Sequence, residues 1–189
     1  MEVTIFYGSG KQFPLYGNSK QGFSTVTLES FNRMDRDQAV DVARPWVDID
    51  RWIDAVVDAR PYRSLAEAVE VARTAPQWTE AEIDGALAHH PRIGERAAGV
   101  GAEASLSRAE QAGVDPTDRA VADALLAGNR AYEEKFGRVF LIRAAGRSAP
   151  EILAALTTRL DNTADQEIAV VAQQLREIAV LRLEGALQS

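Results

Sequence analysis

The chain has 189 residues, 46% of them hydrophobic, and carries a formal net charge of −7. This length and apolar content suit one domain with its own core and exclude global disorder. The negative charge balance argues against a nucleic-acid partner, because phosphate backbones repel such a surface. There are no cysteines, which excludes disulfides, thiolate nucleophiles and zinc–cysteine sites.

Nothing in the chain predicts a membrane partner or a targeting signal. No apolar run approaches the roughly 20 residues that a membrane-spanning helix needs. The N-terminus lacks the basic region and apolar stretch of a signal peptide, and the chain ends in Leu187-Gln188-Ser189 rather than in the peroxisomal signal Ser-Lys-Leu. We therefore expect a cytoplasmic protein.

The first 25 residues differ from the rest of the chain. Glycines at positions 8, 10, 17 and 22 are scattered among aromatic residues without a helical period. This pattern predicts an extended or partly disordered segment over residues 1–25, followed by one helical domain over residues 26–189.

From about Leu28 onward the composition predicts an all-α, single-domain bundle of about seven to eight helices, because alanine, leucine, valine, glutamate and arginine dominate. Helix starts are marked by capping boxes, in which a hydroxyl precedes a carboxylate by three residues, at Ser64/Glu67, Thr79/Glu82 and Ser148/Glu151. Helix ends are marked by prolines and glycines, at Pro61, Pro91, Gly137 and Gly146. The predicted helices cover residues 28–42, 47–59, 65–75, 80–90, 106–113, 118–136, 149–160 and 164–187.

Two further apolar stretches have a predicted place in the fold. Residues 139–142 are apolar but too few for a helix, so we expect a buried extended segment between two helices. In the last predicted helix, apolar residues recur at helical spacing and predict a face that packs on the core. These residues are Ile168, Val171, Leu175 and Ile178.

The two histidines of the chain are adjacent, His89 and His90, and Pro91 follows them. Histidine is the side chain that titrates closest to neutral pH, so these two are the leading candidates for proton transfer. The proline ring disfavours helical geometry for His90, which places it at a helix C-terminus, where unpaired carbonyls favour a cationic ring. His89 is expected to pack or to face solvent. The alternative is that both are ordinary helix-end histidines.

A metal site is not expected. Helical metal ligands usually stand four residues apart and have further histidine, cysteine or carboxylate partners. Here the histidines are adjacent and there is no third one. The same observations argue against a helical metal-dependent hydrolase, which is one competing interpretation.

Ser107, Glu110 and Gln111 share one face of a predicted helix. Together they present a hydroxyl, a carboxylate and an amide, a set that can bind a small polar ring or orient an imidazole. The alternative is structural, because Ser107 and Glu110 also have the spacing of a capping box. The residues alone favour the cap.

Two later segments carry further candidates. Residues 128–137 are typical of a helix ended by Gly137, and the apolar run after it can offer backbone N–H and C=O groups to a flat heterocycle, although most such segments only pack. Arg182 lies within a strongly apolar helix, so its guanidinium needs a partner. It either reaches solvent along its stem, which is the commoner case, or binds a carboxylate or carbonyl of a ligand.

Taken together, these segments resemble the 2-oxo-4-hydroxy-4-carboxy-5-ureidoimidazoline (OHCU) decarboxylase family, from about Leu28 to Ala186. Each motif is weak alone, but their order and spacing match the family. The matching motifs are His90-Pro91 with Ile93-Gly94, Ser107-x-x-Glu110-Gln111, Asn129-x-x-Tyr132-x-x-Lys135-Phe136-Gly137, Phe140-Leu141-Ile142 and Glu177-Ile178-x-x-Leu181-Arg182-Leu183.

The resemblance implies an all-helical fold, usually a homodimer, that works without a metal or an organic cofactor. It implies that His90 is catalytic, with Glu110 as its acidic companion. The residues that it implies for substrate binding are Pro91, Ser107, Gln111, the backbone around Ile142, and Arg182. Arg44-Pro45-Trp46 lies in about the region of the family's N-terminal contribution to the pocket, without a decisive match.

The activity that the resemblance implies is the conversion of a small-molecule substrate, OHCU, to S-allantoin and CO2 in uric acid breakdown. The carbon that bears the substrate's carboxylate adjoins a ring imine, which can accept the electron pair that CO2 leaves behind. A separate electron sink is therefore unnecessary. The competing non-enzymatic interpretation is a helical module that binds a ligand or a partner without catalysis.

Overall fold

A computed structural model describes residues 26–88, 90, 92–93, 105–106 and 118–188. The predicted N-terminal segment over residues 1–25 lies outside the described residues, and so does most of the predicted helix over residues 106–113. The elements below therefore belong to the two long described stretches and to the short pieces between them.

Eight helices have both ends within the described residues. They are α1 (Leu28–Arg33), α2 (Arg36–Ala43), α3 (Asp50–Asp58), α4 (Leu65–Thr74), α5 (Glu80–Leu87), α6 (Arg119–Phe136), α7 (Ala149–Arg159) and α8 (Ala164–Leu187). Ser105 and Leu106 are also helical, and the described residues contain no strand, so the predicted all-α class is confirmed. None of the helices described is both long and apolar enough to cross a bilayer.

The prediction of one helix over residues 28–42 is wrong, because this stretch forms two helices. Met34 follows α1 with an extended backbone (φ −62°, ψ 144°). The carboxylate of Asp35 then accepts a hydrogen bond from the Gln38 N–H at 2.8 Å, which starts α2. An aspartate that caps a new helix in this way ends the previous one. The next helix, α3, begins at Asp50 rather than at residue 47.

The predicted capping boxes are confirmed at Thr79 and Ser148. At the first of them, the Thr79 hydroxyl oxygen accepts from the Glu82 N–H at 3.3 Å, and the Glu82 carboxylate accepts from the Thr79 N–H at 2.7 Å. At Ser64 only half of the box forms. Its hydroxyl oxygen accepts from the Glu67 N–H at 3.2 Å, while the Glu67 carboxylate binds the residue before Ser64.

The buried apolar residues form two clusters. The larger cluster joins α1 to α5 with α8 and includes all three tryptophans, Trp46, Trp52 and Trp78. The smaller cluster lies between α6 and α7. These two helices approach closely at Gly128, where an added Cβ would lie 2.5 Å from the Leu156 side chain. A larger residue at position 128 would therefore force the Leu156 side chain to move.

Residues 139–144, here called the Ile142 segment, run between the two clusters. Phe140, Ile142 and Ala144 pack in the smaller cluster, whereas Leu141 packs in the larger one. Side chains that alternate between two sides are typical of extended backbone. The segment is neither helical nor paired in a sheet. Its burial confirms the buried segment predicted between two helices.

Candidate active site

His90 lies immediately beyond the C-terminal end of α5. This helix ends at Leu87, three residues before its predicted end, and the His90 N–H donates a hydrogen bond to the Leu87 carbonyl at 2.9 Å. The imidazole Nδ1 lies 3.0 Å from the carbonyl oxygen of Ala86, and the side chain is half-buried. The prediction that His90 leaves the regular helix at its C-terminal end is confirmed.

The contact with Ala86 fixes which imidazole nitrogen carries a proton. A carbonyl oxygen can only accept a hydrogen bond, so Nδ1 of His90 must be the donor. In the neutral ring, Nε2 is then the nitrogen that carries a lone pair, and this atom is shielded from solvent. A neutral His90 can therefore accept a proton at Nε2 and return it while the backbone holds the ring.

The residues after His90 are bound by α6. Arg92 forms an ion pair with Glu133 through two nitrogens, with Nη2 2.8 Å from Oε2. One helical turn earlier, the Asn129 Nδ2 donates to the Ile93 carbonyl at 3.1 Å. The hydrogen bonds from Arg92 lower the pKa of the Glu133 carboxyl below its ordinary value. These contacts on α6 fix the position of the segment that carries His90.

Side chains bind the backbone of the residue before Ile142 and of the residue after it. On one side, the Arg159 Nη1 donates to the Leu141 carbonyl at 2.8 Å. On the other side, the Gln174 Oε1 accepts from the Arg143 N–H at 3.0 Å. Within the described part of the chain, no hydrogen bond reaches the N–H or the C=O of Ile142 itself. No described residue therefore uses these two groups to hold the fold together.

A buried polar network holds Arg159. The Glu167 carboxylate is 1% exposed and accepts hydrogen bonds from Arg159 Nε at 2.8 Å, from Asn162 Nδ2 at 2.7 Å and from the Tyr132 hydroxyl. The guanidinium also lies over the Phe140 ring, 4.6 Å from its centroid. Burial, and then the hydrogen bond to Glu167, raise the pKa of the Tyr132 phenol, so the hydroxyl stays protonated as a donor. Charges this deep in a protein need such complete pairing.

Arg182 is buried, with 4% of its surface exposed. Its Nη1 donates to the carbonyl oxygens of Pro45 and Trp46, at 3.2 and 3.4 Å. The commoner expectation, that this side chain extends to solvent, is therefore wrong. The turn between α2 and α3, which includes Arg44-Pro45-Trp46, therefore lies beside Arg182. The sequence alone does not decide where this turn lies relative to the candidate residues.

The elements that carry the three described candidates, His90, Ile142 and Arg182, each contribute to the larger apolar cluster, although the Ile142 side chain itself packs in the smaller one. The larger cluster includes a residue close in sequence to each of them: Leu87, Leu141 and Leu183. The end of α5, the Ile142 segment and the C-terminal part of α8 therefore share one core.

Four further candidates lie outside the described residues: Pro91, Ser107, Glu110 and Gln111. The pairing of His90 with Glu110 and the alternative capping role of Ser107 therefore stay predictions.

Potential metal ligands are not grouped in the described part of the chain. There, no three side chains of histidine, cysteine, aspartate or glutamate lie together in a way that could hold a metal ion. The expectation of a protein without a metal or an organic cofactor stays a prediction.

Sequence analysis missed the pair formed by Arg159 and Glu167. A signal was present, because Glu167 lies four and eight residues before Val171 and Leu175 and so extends the buried face of α8. A carboxylate on such a face requires a partner. The partner belongs to α7, and the periodicity of one helix does not reveal which residue of another helix faces it.

Comparisons with known proteins agree on one family. The model of the OHCU decarboxylase family matches residues 32–184. A 2-oxo-4-hydroxy-4-carboxy-5-ureidoimidazoline decarboxylase of Halalkalicoccus jeotgali is 27% identical over 169 residues, which are 84% of this chain and 90% of the relative. The uric acid degradation bifunctional protein PucL of Bacillus subtilis is 23% identical over 162 residues, which are 83% of this chain and 32% of that longer protein.

Two solved structures share the fold. A crystal structure of OHCU decarboxylase in the presence of (S)-allantoin superposes with a TM-score of 0.62 at 24% identity, covering 79% of this chain and 99% of that one. A crystal structure of (S)-allantoin synthase superposes with a TM-score of 0.59 at 17% identity, covering 84% of this chain and 53% of that one. At these identities the superpositions support the fold.

Proposed function

The chain belongs to the OHCU decarboxylase family, and on that premise we propose that it converts OHCU to S-allantoin and CO2 in uric acid breakdown. The observation that carries this proposal is the family match, because it spans every candidate residue from His90 to Arg182. The position of His90 agrees with it, since the ring is held at the end of a helix with one nitrogen bound to backbone.

The substrate supplies its own electron sink. When the bond to the carboxylate breaks, CO2 leaves and the electron pair of that bond forms a double bond to the neighbouring imine carbon, while the imine nitrogen takes a proton from water. The hydroxyl then loses its proton as the ring carbonyl forms, and the carbon that bears the ureido group gains one. Every step after the release of CO2 is a proton transfer, and a positioned acid–base side chain can catalyse such transfers.

His90 is the side chain that we assign to these proton transfers. Its Nδ1 is bound to the Ala86 carbonyl, so Nε2 takes the proton of the substrate hydroxyl and returns one to the ureido-bearing carbon. Glu110 sets the orientation and the charge of the imidazole in this proposal. A positioned proton transfer of this kind contributes about 10²–10⁴-fold to a rate.

The remaining candidates bind the ring. The N–H and C=O of Ile142 hydrogen-bond its edge, Arg182 binds a substrate oxygen, and Pro91, Ser107 and Gln111 complete the pocket. The assignment of Ile142 to substrate binding is supported by its backbone N–H and C=O, which make no hydrogen bond to another described residue. A ring held in one orientation takes its proton on one face, which gives a single enantiomer, whereas the uncatalysed reaction is racemic.

Three further properties belong to the same proposal: a homodimer, a cytoplasmic location, and activity without a metal or an organic cofactor and without nucleic acid. The family resemblance supports the dimer and the absence of a metal or organic cofactor, and the formal net charge of −7 argues against a nucleic-acid partner. Sedimentation of the purified protein tests the dimer, and retention of full turnover after dialysis against a strong chelator tests the absence of a metal requirement.

The decisive experiment adds the protein to urate, urate oxidase and hydroxyisourate hydrolase, which together generate the unstable substrate in place. We expect fast CO2 release and a circular dichroism signal of S-allantoin, while the mixture without the protein gives slow, racemic product. If the protein neither accelerates CO2 release nor produces the signal, the proposal fails. The non-catalytic helical module would then be the correct interpretation.

A further inference from the structure

The two side chains that bind the backbone around Ile142 have no role in the sequence motifs. We propose that Gln174 and Arg159 are positioning residues that aim the N–H and the C=O of Ile142 at the substrate ring. This inference rests on the proposed function, because it needs a substrate that those groups bind. It adds two residues that act on the substrate through the backbone rather than by touching it.

The argument starts from the planarity of the peptide unit. The Leu141 carbonyl and the Ile142 N–H belong to one rigid plane and, in the trans form, point in opposite directions. Arg159 Nη1 binds that carbonyl at 2.8 Å. It therefore also fixes the direction of the Ile142 N–H, which points away from Arg159.

The next peptide unit is fixed from its other end. The Ile142 carbonyl and the Arg143 N–H share a plane and again point in opposite directions. Gln174 Oε1 binds the Arg143 N–H at 3.0 Å, so the Ile142 carbonyl points away from Gln174. One contact thus sets the direction of the donor of Ile142, and the other sets the direction of its acceptor.

Both positioning side chains are themselves well held. The Arg159 guanidinium is bound by the Glu167 carboxylate at 2.8 Å and lies over Phe140. Its planar fork leaves few alternative orientations once two of its nitrogens are bound. Gln174 projects from α8, a helix of 24 residues that packs on α4 and α5. Neither contact involves the residues after His90. The Ile142 end of the candidate site, formed by the Ile142 segment, and its His90 end, formed by His90 and the residues after it, can therefore be perturbed separately.

Gln174→Met is the informative variant, because methionine has a similar length but removes the acceptor oxygen. Gln174→Glu is its rescue, since a carboxylate oxygen still accepts from the Arg143 N–H. The matched control is Gln173→Met, one residue earlier on the same helix, where the amide is exposed and donates to the Glu177 carboxylate without touching the backbone around Ile142.

We expect Gln174→Met to raise KM roughly three- to tenfold, as the loss of one hydrogen bond of ordinary strength would. The enantiomeric excess of the allantoin should fall as well, because a loosely held ring takes its proton on either face. Enantiomeric excess is read at enzyme concentrations where doubling the enzyme no longer changes it, so that spontaneous decay does not contribute. Gln174→Glu should recover both values, and Gln173→Met should match the unmodified protein.

A second measurement does not need the reaction. Amide hydrogen exchange at Arg143, followed by NMR, should accelerate in Gln174→Met and stay slow in Gln174→Glu and Gln173→Met. The positioning role is overturned if Gln174→Met keeps the KM and enantiomeric excess of the active parent, or if Gln174→Glu recovers neither. If the unmodified protein itself releases no CO2, the proposed function fails, whereas the exchange result still reports whether Gln174 holds the peptide.

Discussion

The backbone around Ile142 and the side chain of His90 are held by contacts of different range. Ile142 is flanked by contacts to Arg159 and Gln174, which come from two helices later in the chain, and Arg159 is paired with a carboxylate that is almost fully buried. Among the described residues, the N–H and the Nδ1 of His90 bind carbonyl oxygens three and four residues earlier. In the candidate site, the backbone around Ile142 is therefore held by tertiary contacts and the His90 ring by the end of its own helix, while the residues after His90 are held by α6.

The second difference between the two ends is solvent exposure. The ion pair of Arg92 and Glu133, which binds the residues after His90, is partly exposed, with 46% and 26% of the two side chains accessible. Exposed pairs of this kind contribute about 0–1 kcal/mol, whereas removal of one partner of a buried pair costs about 3–5 kcal/mol. Substitutions at the Ile142 end should therefore affect folding first, and those at the His90 end should affect turnover first.

The largest expected effect is on turnover, at the His90 end. His90→Asn should lower kcat by about 10²–10⁴-fold, because asparagine transfers no protons near neutral pH. Stability should change little, since the asparagine amide can still donate toward the Ala86 carbonyl. The matched control is His89→Asn, the same change one residue earlier, which should keep near-normal turnover. Near-normal turnover of His90→Asn in the coupled assay would rule out the catalytic assignment.

The second effect is on stability, at the Ile142 end. Glu167→Gln should lower the free energy of unfolding by about 3–5 kcal/mol, because it leaves the Arg159 guanidinium buried without its counter-charge. The control is Asp165→Asn, the same chemical change at an exposed position in the first turn of the same helix, with an expected change within about 0.5 kcal/mol. Urea unfolding measures both. Equal losses in the two variants would mean that the helix dipole, not the buried pair, is responsible.

A third substitution combines the two kinds of effect. Asn129→Ala removes the donor of the buried Ile93 carbonyl and should cost about 1–3 kcal/mol of unfolding free energy. Because that contact holds the segment after His90, kcat should fall more than KM rises. The control is the exposed neighbour Arg130→Ala. If Asn129→Ala raised KM and left kcat unchanged, the proposed difference between the two ends of the candidate site would be contradicted, since that is the outcome expected at the Ile142 end.

The difference between local and long-range contacts also explains how much of the molecule the sequence predicts. Helix composition and local capping signals predict the all-α class and the starts at Thr79 and Ser148, because both operate within a few residues. His90 was placed at a helix end for the same reason, through the proline that follows it. Asp35 is also a local signal, because it caps the start of α2, and it divides the one predicted helix over residues 28–42 into two.

The contacts that sequence reasoning did not find are those between distant residues. Arg159 and Glu167 stand eight positions apart on different helices, and Gln174 meets the Arg143 N–H across 31 positions. The sequence indicates that a buried carboxylate needs a partner but not which one. For Arg182 it left solvent and ligand as alternatives, and the structure adds a third kind of partner, the backbone carbonyls of the turn between α2 and α3.

The smallest effect concerns pH and the exposed pair at the His90 end. The pKa of the Glu133 carboxyl is lowered by hydrogen bonds from Arg92, so the folded protein binds a proton there less readily than the unfolded chain. The pair therefore stabilises the fold fully above the unfolded glutamate pKa of about 4.3, and this contribution is lost as pH falls through the lower folded value.

Glu133→Gln should accordingly melt below the unmodified protein at neutral pH, by an amount that corresponds to at most about 1 kcal/mol. The gap should close as the pH is lowered through that range, and added salt should shrink it because the pair is partly exposed. Glu134→Gln, at the exposed neighbouring position, should show neither trend. A gap that persisted at low pH would assign the stabilisation to the packing of the Glu133 side chain rather than to its charge. Charge pairing would then stabilise only the Ile142 end of the candidate site, through Arg159 and Glu167, because the pair of Glu133 and Arg92 would not contribute through charge.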